Sequence, residues 1–320
     1  MKILLSILFL LGVAMTSHSQ PVKKHGKLHV DKTLLKDEKG NIVTLRGMSF
    51  GWHNWWPRFY NAGAVQWLAM DFKCDIVRAA MGVEPRNGYI DKPLESQAMI
   101  EAVADAAIKE GIYVIIDWHS HHIKKEEAII FFTAMAKKYG DHPNVIYEIF
   151  NEPVLDSWEK VKEYSIDVIK AIRAEDPDNV ILIGTPHWDQ DIHLAADNPI
   201  QGHQNLMYTL HYYAGTHKKY LRDRADYALQ KGLPLFISES AGMEATGNGK
   251  IDVEEWNKWI LWSEKNNISW LTWSVADKDE TCSILKKSAA SDGHWTEDDL
   301  KESGIMIRKY LRDFAAKNAK

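Results

Sequence analysis

The chain has 320 residues, of which 45% are hydrophobic and 26% charged, so it can bury a large core and is not a disordered protein. Its formal net charge is −5, which leaves no basic excess to neutralise a phosphate backbone, and we expect no nucleic-acid partner. Two cysteines are too few for a disulfide framework or a structural zinc cluster.

Residues 1–19 are predicted to form a signal peptide that is not part of the fold. A charged start and an apolar run from Ile3 to about Met15 precede small polar residues, and we expect cleavage after Ser19. The apolar run is too short to span a bilayer, although a short membrane anchor is an alternative. We therefore expect a secreted or periplasmic protein that leaves the membrane once the signal is removed, with one folded domain over residues 20–320.

Short β-branched segments alternate with longer segments of helical spacing along the rest of the chain. The predicted strands are Ile42–Leu45, Asp75–Arg78, Tyr113–Asp117, Asn144–Ile149, Val180–Ile183, Asn205–Leu210, Pro234–Ser238 and Ser269–Trp273. The clearest helical stripes are Glu95–Glu110, Lys125–Tyr139, Trp158–Ala174, Lys218–Lys231, Val253–Asn266 and Glu297–Ala316. Lys27–Leu35 is predicted to belong to a short N-terminal β-hairpin that closes the bottom of the fold.

Eight strands that alternate with about eight helices in one domain predict an α/β fold of the (β/α)8 TIM-barrel type. A doubly wound open sheet is the alternative. Its first strand is usually followed by a glycine-rich phosphate turn, whereas Arg46–Ser49 carries no GxGxxG pattern. No proline-, serine- or glycine-rich linker follows residue 25, which favours one domain over two.

The two cysteines are expected to remain thiols, even in an oxidising compartment. Cys74 precedes Arg78 by four residues and should lie near the bottom of the barrel, whereas Cys282 follows the eighth strand in a top loop. A disulfide needs Cα atoms within about 7 Å, which this placement excludes.

Polar and aromatic side chains follow the predicted strands at the end where a barrel builds its active site. They are Arg78 on the second strand, Asp117-Trp118-His119 on the third, Asn151-Glu152-Pro153 on the fourth, His211-Tyr212-Tyr213 on the sixth, Glu239 on the seventh and Trp273 on the eighth. Any one of them can be a loop residue that satisfies its own hydrogen bonds, and for Asp117 alone we prefer that interpretation. Six such strand ends together indicate a shared pocket.

Glu152 and Glu239 are the two carboxylates that stand out among these residues. Hydrolysis of a glycosidic bond needs one acid that protonates the leaving oxygen and a second carboxylate that attacks the anomeric carbon or activates water. The fourth and seventh strands lie across the barrel from each other, so both groups can face a bound sugar. Five tryptophans are candidates to stack on sugar faces, about half of them expected to be core residues instead: Trp52, Trp55, Trp56, Trp273 and Trp295.

Four segments resemble glycoside hydrolase family 5, most closely its secreted bacterial endo-β-1,4-glucanase (cellulase) branch. They are Asp117-Trp118-His119, Asn151-Glu152-Pro153, the run from Leu210 to His217, and Phe236-Ile237-Ser238-Glu239. Further matches follow in the same order at Val77–Met81, Gly111–Asp117, Pro143–Glu148, Trp273-Ser274 and Lys278–Glu280. The resemblance therefore extends from about residue 27 to the end of the chain.

The resemblance implies a retaining endo-β-1,4-glucanase in which Glu152 is the acid/base and Glu239 the nucleophile. We expect the charge of Glu239 to keep Glu152 protonated, while Arg78 and Tyr213 keep Glu239 ionised. The resemblance also assigns Asn151 to the sugar 2-hydroxyl, His119 and His211 to the site lining, Trp273 and Trp55 to stacking platforms, and Lys278 and Glu280 to neighbouring hydroxyls. It implies a β-glucan polysaccharide as the substrate, and we expect no cofactor, no metal and a monomeric protein.

Two departures from the family pattern concern substrate preference rather than the reaction. Ser240 and Ala241 follow Glu239 where many relatives carry Trp-Gly or Phe-Gly, so the missing ring is expected to alter an adjacent subsite. Gly51 stands where relatives often carry a histidine, and His53 is a candidate substitute. The choice among cellulose, mixed-linkage glucan, xyloglucan and mannan stays open.

Two other functions are compatible with parts of the sequence. His119-Ser120-His121-His122 contains the His-x-His spacing of divalent-metal sites, but it follows the third strand, whereas barrel metallohydrolases carry that pair on the first. We therefore interpret His121 and His122 as exposed loop residues. A non-catalytic sugar-binding barrel is the second alternative, and the presence of both glutamates argues against it.

Overall fold

Eight parallel strands form the centre of the structure, a computed structural model that describes residues 20–318. In chain order they are β1 (Arg46–Phe50), β2 (Ile76–Gly82), β3 (Tyr113–His119), β4 (Val145–Glu148), β5 (Ile181–Ile183), β6 (Leu206–Thr209), β7 (Leu235–Phe236) and β8 (Trp270–Val275). Strand β8 pairs with β1, and a parallel bridge between Ile237 and Trp270 joins the end of β7 to β8. The sheet is therefore closed, which confirms the (β/α)8 barrel. The predicted signal peptide lies outside the described residues.

Helices connect the strands and cover the outside of the barrel. The longer ones are Pro93–Glu110, Lys125–Tyr139, Trp158–Glu175, Lys219–Gln230, Val253–Lys265 and Glu302–Asn318. Shorter helical segments are Pro21–His25, Pro57–Phe59, Ala62–Trp67, Leu68–Phe72, Ile192–Asp197 and Glu297–Asp299, and Pro186–Asp189 forms a turn with left-handed backbone. Between residues 20 and 318, none of the helices combines the length and apolar character needed to cross a membrane.

The first strand lies four residues later than the sequence predicts. Ile42 is instead bridged to Lys36 as an extension of the hairpin, and the barrel strand is Arg46–Phe50. Residue 47 on this strand must be a glycine, because a Cβ there would lie 1.8 Å from the carbonyl oxygen of Ile76. Strand propensity favours the β-branched segment Ile42–Leu45 before this strand. It contains no information about the close approach of Gly47 to Ile76. The last predicted helix is likewise wrong at its start, since a 3₁₀ turn precedes Glu302.

The predicted N-terminal hairpin is confirmed and closes the bottom of the barrel. Its strands His29–Asp31 and Leu34–Lys36 pair antiparallel. Leu35 belongs to one buried cluster with Ile115 and Leu271 from the barrel interior. The hairpin therefore removes these apolar side chains from water, which leaves the opposite end of the barrel open for a site.

Alternation along the strands places charged side chains directly above this apolar layer. Residues two apart on a strand point to the same side of the sheet. Each of three neighbouring strands pairs an apolar residue of the interior cluster with a charged residue nearer its carboxyl end: Ile76 and Arg78 on β2, Ile115 and Asp117 on β3, and Ile146 and Glu148 on β4. Residues of the opposite parity face the helices, as Trp118 shows by packing on Phe131 with 5.6 Å between ring centroids.

Candidate active site

The carboxyl ends of the strands surround a cleft of about 700 Å³. Both singled-out glutamates, Glu152 and Glu239, line it. Its other lining groups are mostly aromatic rings, imidazoles and rim polar groups: Trp52, Trp55, Trp56, His121, His187, Trp188, Gln190, His211, Tyr213, Thr216, His217, Tyr220, Ala245, Thr246, Gly247, Trp273, Ser274, Lys278, Glu280 and Cys282. The polar ends of the predicted fourth, sixth, seventh and eighth strands therefore converge on one space, whereas Arg78, Asp117, His119 and Asn151 are buried and do not line it.

Glu152 and Glu239 approach each other across the floor of this cleft. One oxygen of each carboxylate and a ring nitrogen of His211 all lie within 4.8 Å of one another. Retaining glycosidases hold their two carboxyl groups about 5–5.5 Å apart, whereas inverting enzymes need about 6.5–9.5 Å to admit a water molecule. The separation in this site fits direct attack by a carboxylate.

Arg78 connects Glu239 to the buried charges below it. Its side chain lies inside the barrel in the middle of β2 rather than at a strand end, which corrects the sequence prediction. The guanidinium contacts Glu239 at 3.1 Å, Glu148 at 2.7 Å and Asp117 at 3.0 Å. Asp117 is a fully buried strand residue, so its interpretation as a self-satisfied loop residue is wrong. Burial opposes the charge of Arg78, but these carboxylates outweigh it and raise the pKa of Arg78.

Tyr213 supplies the second hydrogen bond to Glu239. Its hydroxyl donates to Oε1 at 2.7 Å, while Arg78 Nη1 donates to Oε2 at 3.1 Å. Burial and the negative charge of Glu152 raise the pKa of Glu239 above its ordinary value. The contacts with Arg78 and Tyr213 act in the opposite direction, because both stabilise the carboxylate form.

Glu152 is held by two imidazoles, one on each carboxylate oxygen. His211 Nδ1 lies 2.9 Å from Oε1, and His121 Nε2 lies 3.3 Å from Oε2. Burial opposes ionisation of Glu152, but the hydrogen bonds from His121 and His211 outweigh it and lower its pKa. These contacts thus favour an ionised Glu152, which is the reverse of the expected protonated Glu152.

Trp273 lines the cleft, and the buried His119 lies behind it and does not itself line the cleft. Their rings are stacked at 5.1 Å between centroids with an interplanar angle of 7°. Asp117 Oδ2 lies 2.7 Å from His119 Nδ1 and fixes the plane of the imidazole. Burial lowers the pKa of His119, so it is a neutral ring here. The indole of Trp273 is therefore supported from behind by a rigid partner.

The tryptophans divide between the cleft and the core. Trp55 is 50% exposed, and its ring lies 4.7 Å from Trp52 and 5.8 Å from Trp56, so these three rings line one region of the cleft. Trp295 is fully buried, and its indole N–H donates to the Ala290 carbonyl at 2.7 Å. The suggestion that Trp295 stacks on sugars is therefore wrong, because it is a core residue.

Lys278, Glu280 and Cys282 lie together at the rim. Lys278 Nζ and Glu280 Oε2 are 2.5 Å apart, and Cys282 Sγ lies 3.2 Å from Glu280 Oε1. Cys74 and Cys282 are both buried free thiols, as predicted. Burial raises the pKa of each thiol, which makes both poor nucleophiles.

The two departures from the family pattern lie beneath the cleft surface. Ser240 is buried, its hydroxyl donates to the Leu271 carbonyl at 2.8 Å, and neither it nor Ala241 lines the cleft. In this chain Ser240 and Ala241 therefore contribute to packing below the site and not to the cleft surface. His53 is also buried, where its ring contacts Ser96 at 2.8 Å, so it does not replace a cleft histidine.

The histidine cluster after β3 does not form a paired metal chelate. His119 is bound to Asp117, whereas His121 contacts Glu152, and their ring centroids are 6.5 Å apart. Both residues lie in a loop and His122 is exposed, as predicted, but His121 is half-buried against Glu152, so its predicted exposure is wrong. Among the described side chains, four carboxylates lie close enough to His211 to share an ion with it: Glu148, Glu152, Asp189 and Glu239. They already contact cationic or hydroxyl groups of the protein.

Trp188 is a cleft residue that the sequence analysis missed. It is 41% exposed and lies within three consecutive residues of left-handed backbone, with φ values of 58°, 54° and 57° for His187, Trp188 and Asp189. Buried Asp189 anchors this turn by accepting hydrogen bonds from the Thr185 N–H at 2.5 Å and the Thr209 hydroxyl at 2.6 Å. A tryptophan soon after the fifth strand was the available signal, but a left-handed turn without glycine is not visible in a sequence.

Comparison with known proteins identifies relatives whose family and names agree with this site. The family model for cellulase (glycosyl hydrolase family 5) matches residues 36–279. Endoglucanase 5 of Pectobacterium carotovorum subsp. carotovorum is 42% identical over 299 residues, which cover 91% of this chain and 59% of that relative. The chain spans about three fifths of the length of the first curated relatives that it matches.

Solved structures agree with this comparison. A structure from Cytophaga hutchinsonii superposes with a TM-score of 0.92 at 44% identity and covers 93% of this chain and 98% of its own. The catalytic domain of Thermobifida fusca endoglucanase Cel5A, solved as a variant with cellotetraose, gives a TM-score of 0.86 at 31% identity and covers 92% of this chain and all of its own.

Proposed function

The chain belongs to glycosyl hydrolase family 5, and we propose that it is an endo-acting, retaining hydrolase of β-1,4-glucosidic bonds in cellulose and related β-glucans. The observation that carries the proposal is the pair Glu152 and Glu239, whose oxygens approach within 4.8 Å in an aromatic cleft. The endoglucanase names of the relatives and the cellotetraose bound to one of them support the choice of substrate.

In the first step, Glu239 attacks the anomeric carbon and Glu152 protonates the departing glycosidic oxygen. Arg78 and Tyr213 hold one oxygen of Glu239 each, so they orient the carboxylate and stabilise its charge before attack. The bond from Glu239 to carbon forms as the glycosidic bond breaks, and the proton of Glu152 leaves with the aglycone.

In the second step, Glu152 acts as the base. It removes a proton from a water molecule, the resulting oxygen attacks the anomeric carbon, and Glu239 departs as a carboxylate. Two displacements at the same carbon restore the original anomeric configuration. The close approach of the glutamates favours this course, since little space is left between Glu239 and a sugar for a water molecule.

We assign sugar binding to polar and aromatic groups around the glutamates. Asn151 accepts a hydrogen bond from Arg78 Nη2 at 2.5 Å through Oδ1, while its buried Nδ2 has no hydrogen-bond partner among the described residues. That amide is therefore available to a sugar 2-hydroxyl. Trp273 and Trp55 provide apolar faces for pyranose rings, and the Lys278–Glu280 pair provides charged groups for hydroxyls at the rim.

The function is tested by a substrate panel that includes carboxymethylcellulose, mixed-linkage glucan, xyloglucan and mannan. We expect release of reducing ends from the β-1,4-glucans together with an early fall in viscosity, because internal cleavage shortens chains rapidly. Mannan as the preferred substrate would overturn the glucan assignment, and the absence of hydrolysis on every polymer would favour a binding protein. Activity that persists in excess chelator is expected from a mechanism that uses only the two glutamates.

We also propose that residues 20–320 are one catalytic domain and that the protein is exported as a monomer after cleavage behind Ser19. The charged start and short apolar run of residues 1–19 support export. N-terminal sequencing of the protein recovered from the medium or periplasm tests this proposal, with Gln20 expected as the first residue. An uncleaved N-terminus in the membrane fraction would contradict it.

A further inference from the structure

His121 occupies an unusual position between the solvent and the proposed acid/base. Its side chain is 35% exposed, and its Nε2 lies 3.3 Å from Oε2 of Glu152. The other imidazole on Glu152, His211, is almost fully buried, and its second ring nitrogen contacts Ser238 at 2.9 Å and Asp189 at 3.2 Å. Of these two rings, His121 is therefore the one that can exchange protons with water.

The loop that carries His121 is fixed to Glu152 by backbone hydrogen bonds. The Glu152 N–H donates to the Ser120 carbonyl at 3.2 Å, and the Ser120 hydroxyl donates to the His122 carbonyl at 2.6 Å. The His122 N–H donates to Glu84 Oε1 at 3.1 Å, and Ser120 also contacts this carboxylate. The backbone on both sides of His121 is thus held beside Glu152 and Glu84.

The charges around His121 favour its protonated form. Glu152, Glu84 and Glu239 all face it with negative charge, while the nearby ring of His119 is neutral. Trp52 packs edge-on against the imidazole at 5.6 Å between centroids and shields one side of it from water. Burial alone would lower the pKa of His121, but these carboxylates raise it above its ordinary value.

We propose that His121 is a positioning residue that stores the catalytic proton for Glu152, an inference that rests on the proposed function. In the resting site the imidazolium is paired with the Glu152 carboxylate. The proton moves from Nε2 of His121 to Oε2 of Glu152 and then to the glycosidic oxygen. This leaves His121 as a neutral imidazole and Glu152 as a carboxylate. In the second step Glu152 takes one proton from water and returns it to His121, so the pair ends the cycle with the proton it started with.

A shared proton has a measurable consequence at high pH. The first step fails when the pair of His121 and Glu152 loses its last proton. The imidazole of His121 keeps this proton up to a higher pH than Glu152 would if only His211 were beside it. Without a titratable group at residue 121, the alkaline limb of kcat/KM therefore moves to lower pH. A leaving group that needs no protonation bypasses this requirement.

The experiment compares His121→Gln with His122→Gln and the wild type. Glutamine can still donate a hydrogen bond to Glu152 but carries no exchangeable charge, and His122 is the exposed neighbour of the same type. We expect His121→Gln to lower the alkaline midpoint of kcat/KM for phenyl β-cellobioside by about one pH unit or more, because the last proton is then held by a carboxyl group instead of an imidazole. The alkaline limb for 2,4-dinitrophenyl β-cellobioside should stay where it is, and His122→Gln should match the wild type on both substrates.

Chemical rescue provides a second readout. Imidazole added to His121→Ala should restore part of the rate on phenyl β-cellobioside and have no effect on the dinitrophenyl substrate. An unchanged alkaline midpoint in His121→Gln, or an equal loss on both substrates at every pH, would overturn the proposal. A wild-type protein that cleaves neither glycoside nor polymer would instead refute the proposed function, so the two failures are distinguishable.

Discussion

Tyr213 donates a hydrogen bond of 2.7 Å to Glu239 from a short strand, Tyr212–Tyr213, that pairs with Ser240–Ala241 immediately after the glutamate. The ladder ties the position of the donor to that of the carboxylate. The hydroxyl therefore stabilises the ionised form of Glu239 in a fixed geometry.

Replacing Tyr213 by phenylalanine should make the enzyme more sensitive to acid. The lost hydrogen bond stabilised the carboxylate, so the pKa of Glu239 rises further and the acid limb of kcat/KM moves to higher pH, by about one unit. The rate at the optimum should fall roughly tenfold, as expected for loss of about 1.4 kcal/mol of transition-state stabilisation. Tyr227→Phe, which removes an exposed hydroxyl on an outer helix, is the control. An acid limb that does not move would show that Tyr213 leaves the ionisation of Glu239 unaffected.

Trp55→Ala should weaken hydrolysis of long chains more than hydrolysis of short activated glycosides. A platform away from the scissile bond contributes binding energy chiefly when a sugar occupies it. We expect KM for a soluble glucan to rise while kcat/KM for 2,4-dinitrophenyl β-cellobioside changes little. Equal losses on both substrates, together with a lower melting temperature, would indicate a structural role for Trp55.

Trp295→Ala should act on stability instead. The side chain is fully buried against Phe59 and Phe72, with ring centroids 6.3 and 6.2 Å away. Truncation of a large buried ring typically costs about 3–5 kcal/mol in the free energy of unfolding. Urea unfolding of Trp295→Ala and Trp55→Ala compares a core ring with a cleft ring. A smaller loss for Trp295→Ala than for Trp55→Ala would contradict this division.

Both cysteines should react with iodoacetamide after unfolding without a reductant. The structure holds Cys74, just before β2, and Cys282, at the cleft, as free, buried thiols. The mass of the denatured, alkylated protein should therefore increase by two adducts, and reaction of the folded protein should be slow because burial raises both pKa values. A mass without adducts would reveal a disulfide.

The closed barrel and its central glutamates could be predicted because their signals are local and ordered. Strand and helix segments alternate along the chain, and Glu152 and Glu239 follow strands that a barrel must bring to one end. The placement of β1 could not be predicted in this way. A glycine is needed at residue 47 of this strand because the Ile76 carbonyl lies so close, and this contact joins segments that are distant in sequence.

The contacts that surround the glutamates were also beyond the sequence. Asp117 and Glu148 look like ordinary residues of two strands, and only the shared inward face brings them to Arg78. His121 depends on a loop whose hydrogen bonds run to Glu84, on another segment. Such long-range contacts determine the charge of the site, which is why the expected protonation of Glu152 is not the one that its two imidazole contacts favour.

The separate roles of Glu152 and Glu239 are tested most directly by azide rescue of 2,4-dinitrophenyl β-cellobioside hydrolysis. Glu152→Ala should still form the glycosyl-enzyme, because this leaving group needs no proton, and azide should then release the β-azide. Glu239→Ala lacks the attacking group, so azide should enter from the opposite face and give the α-azide. Different anomers from the two variants are the predicted result, and the same azide anomer from both variants would contradict the assignment.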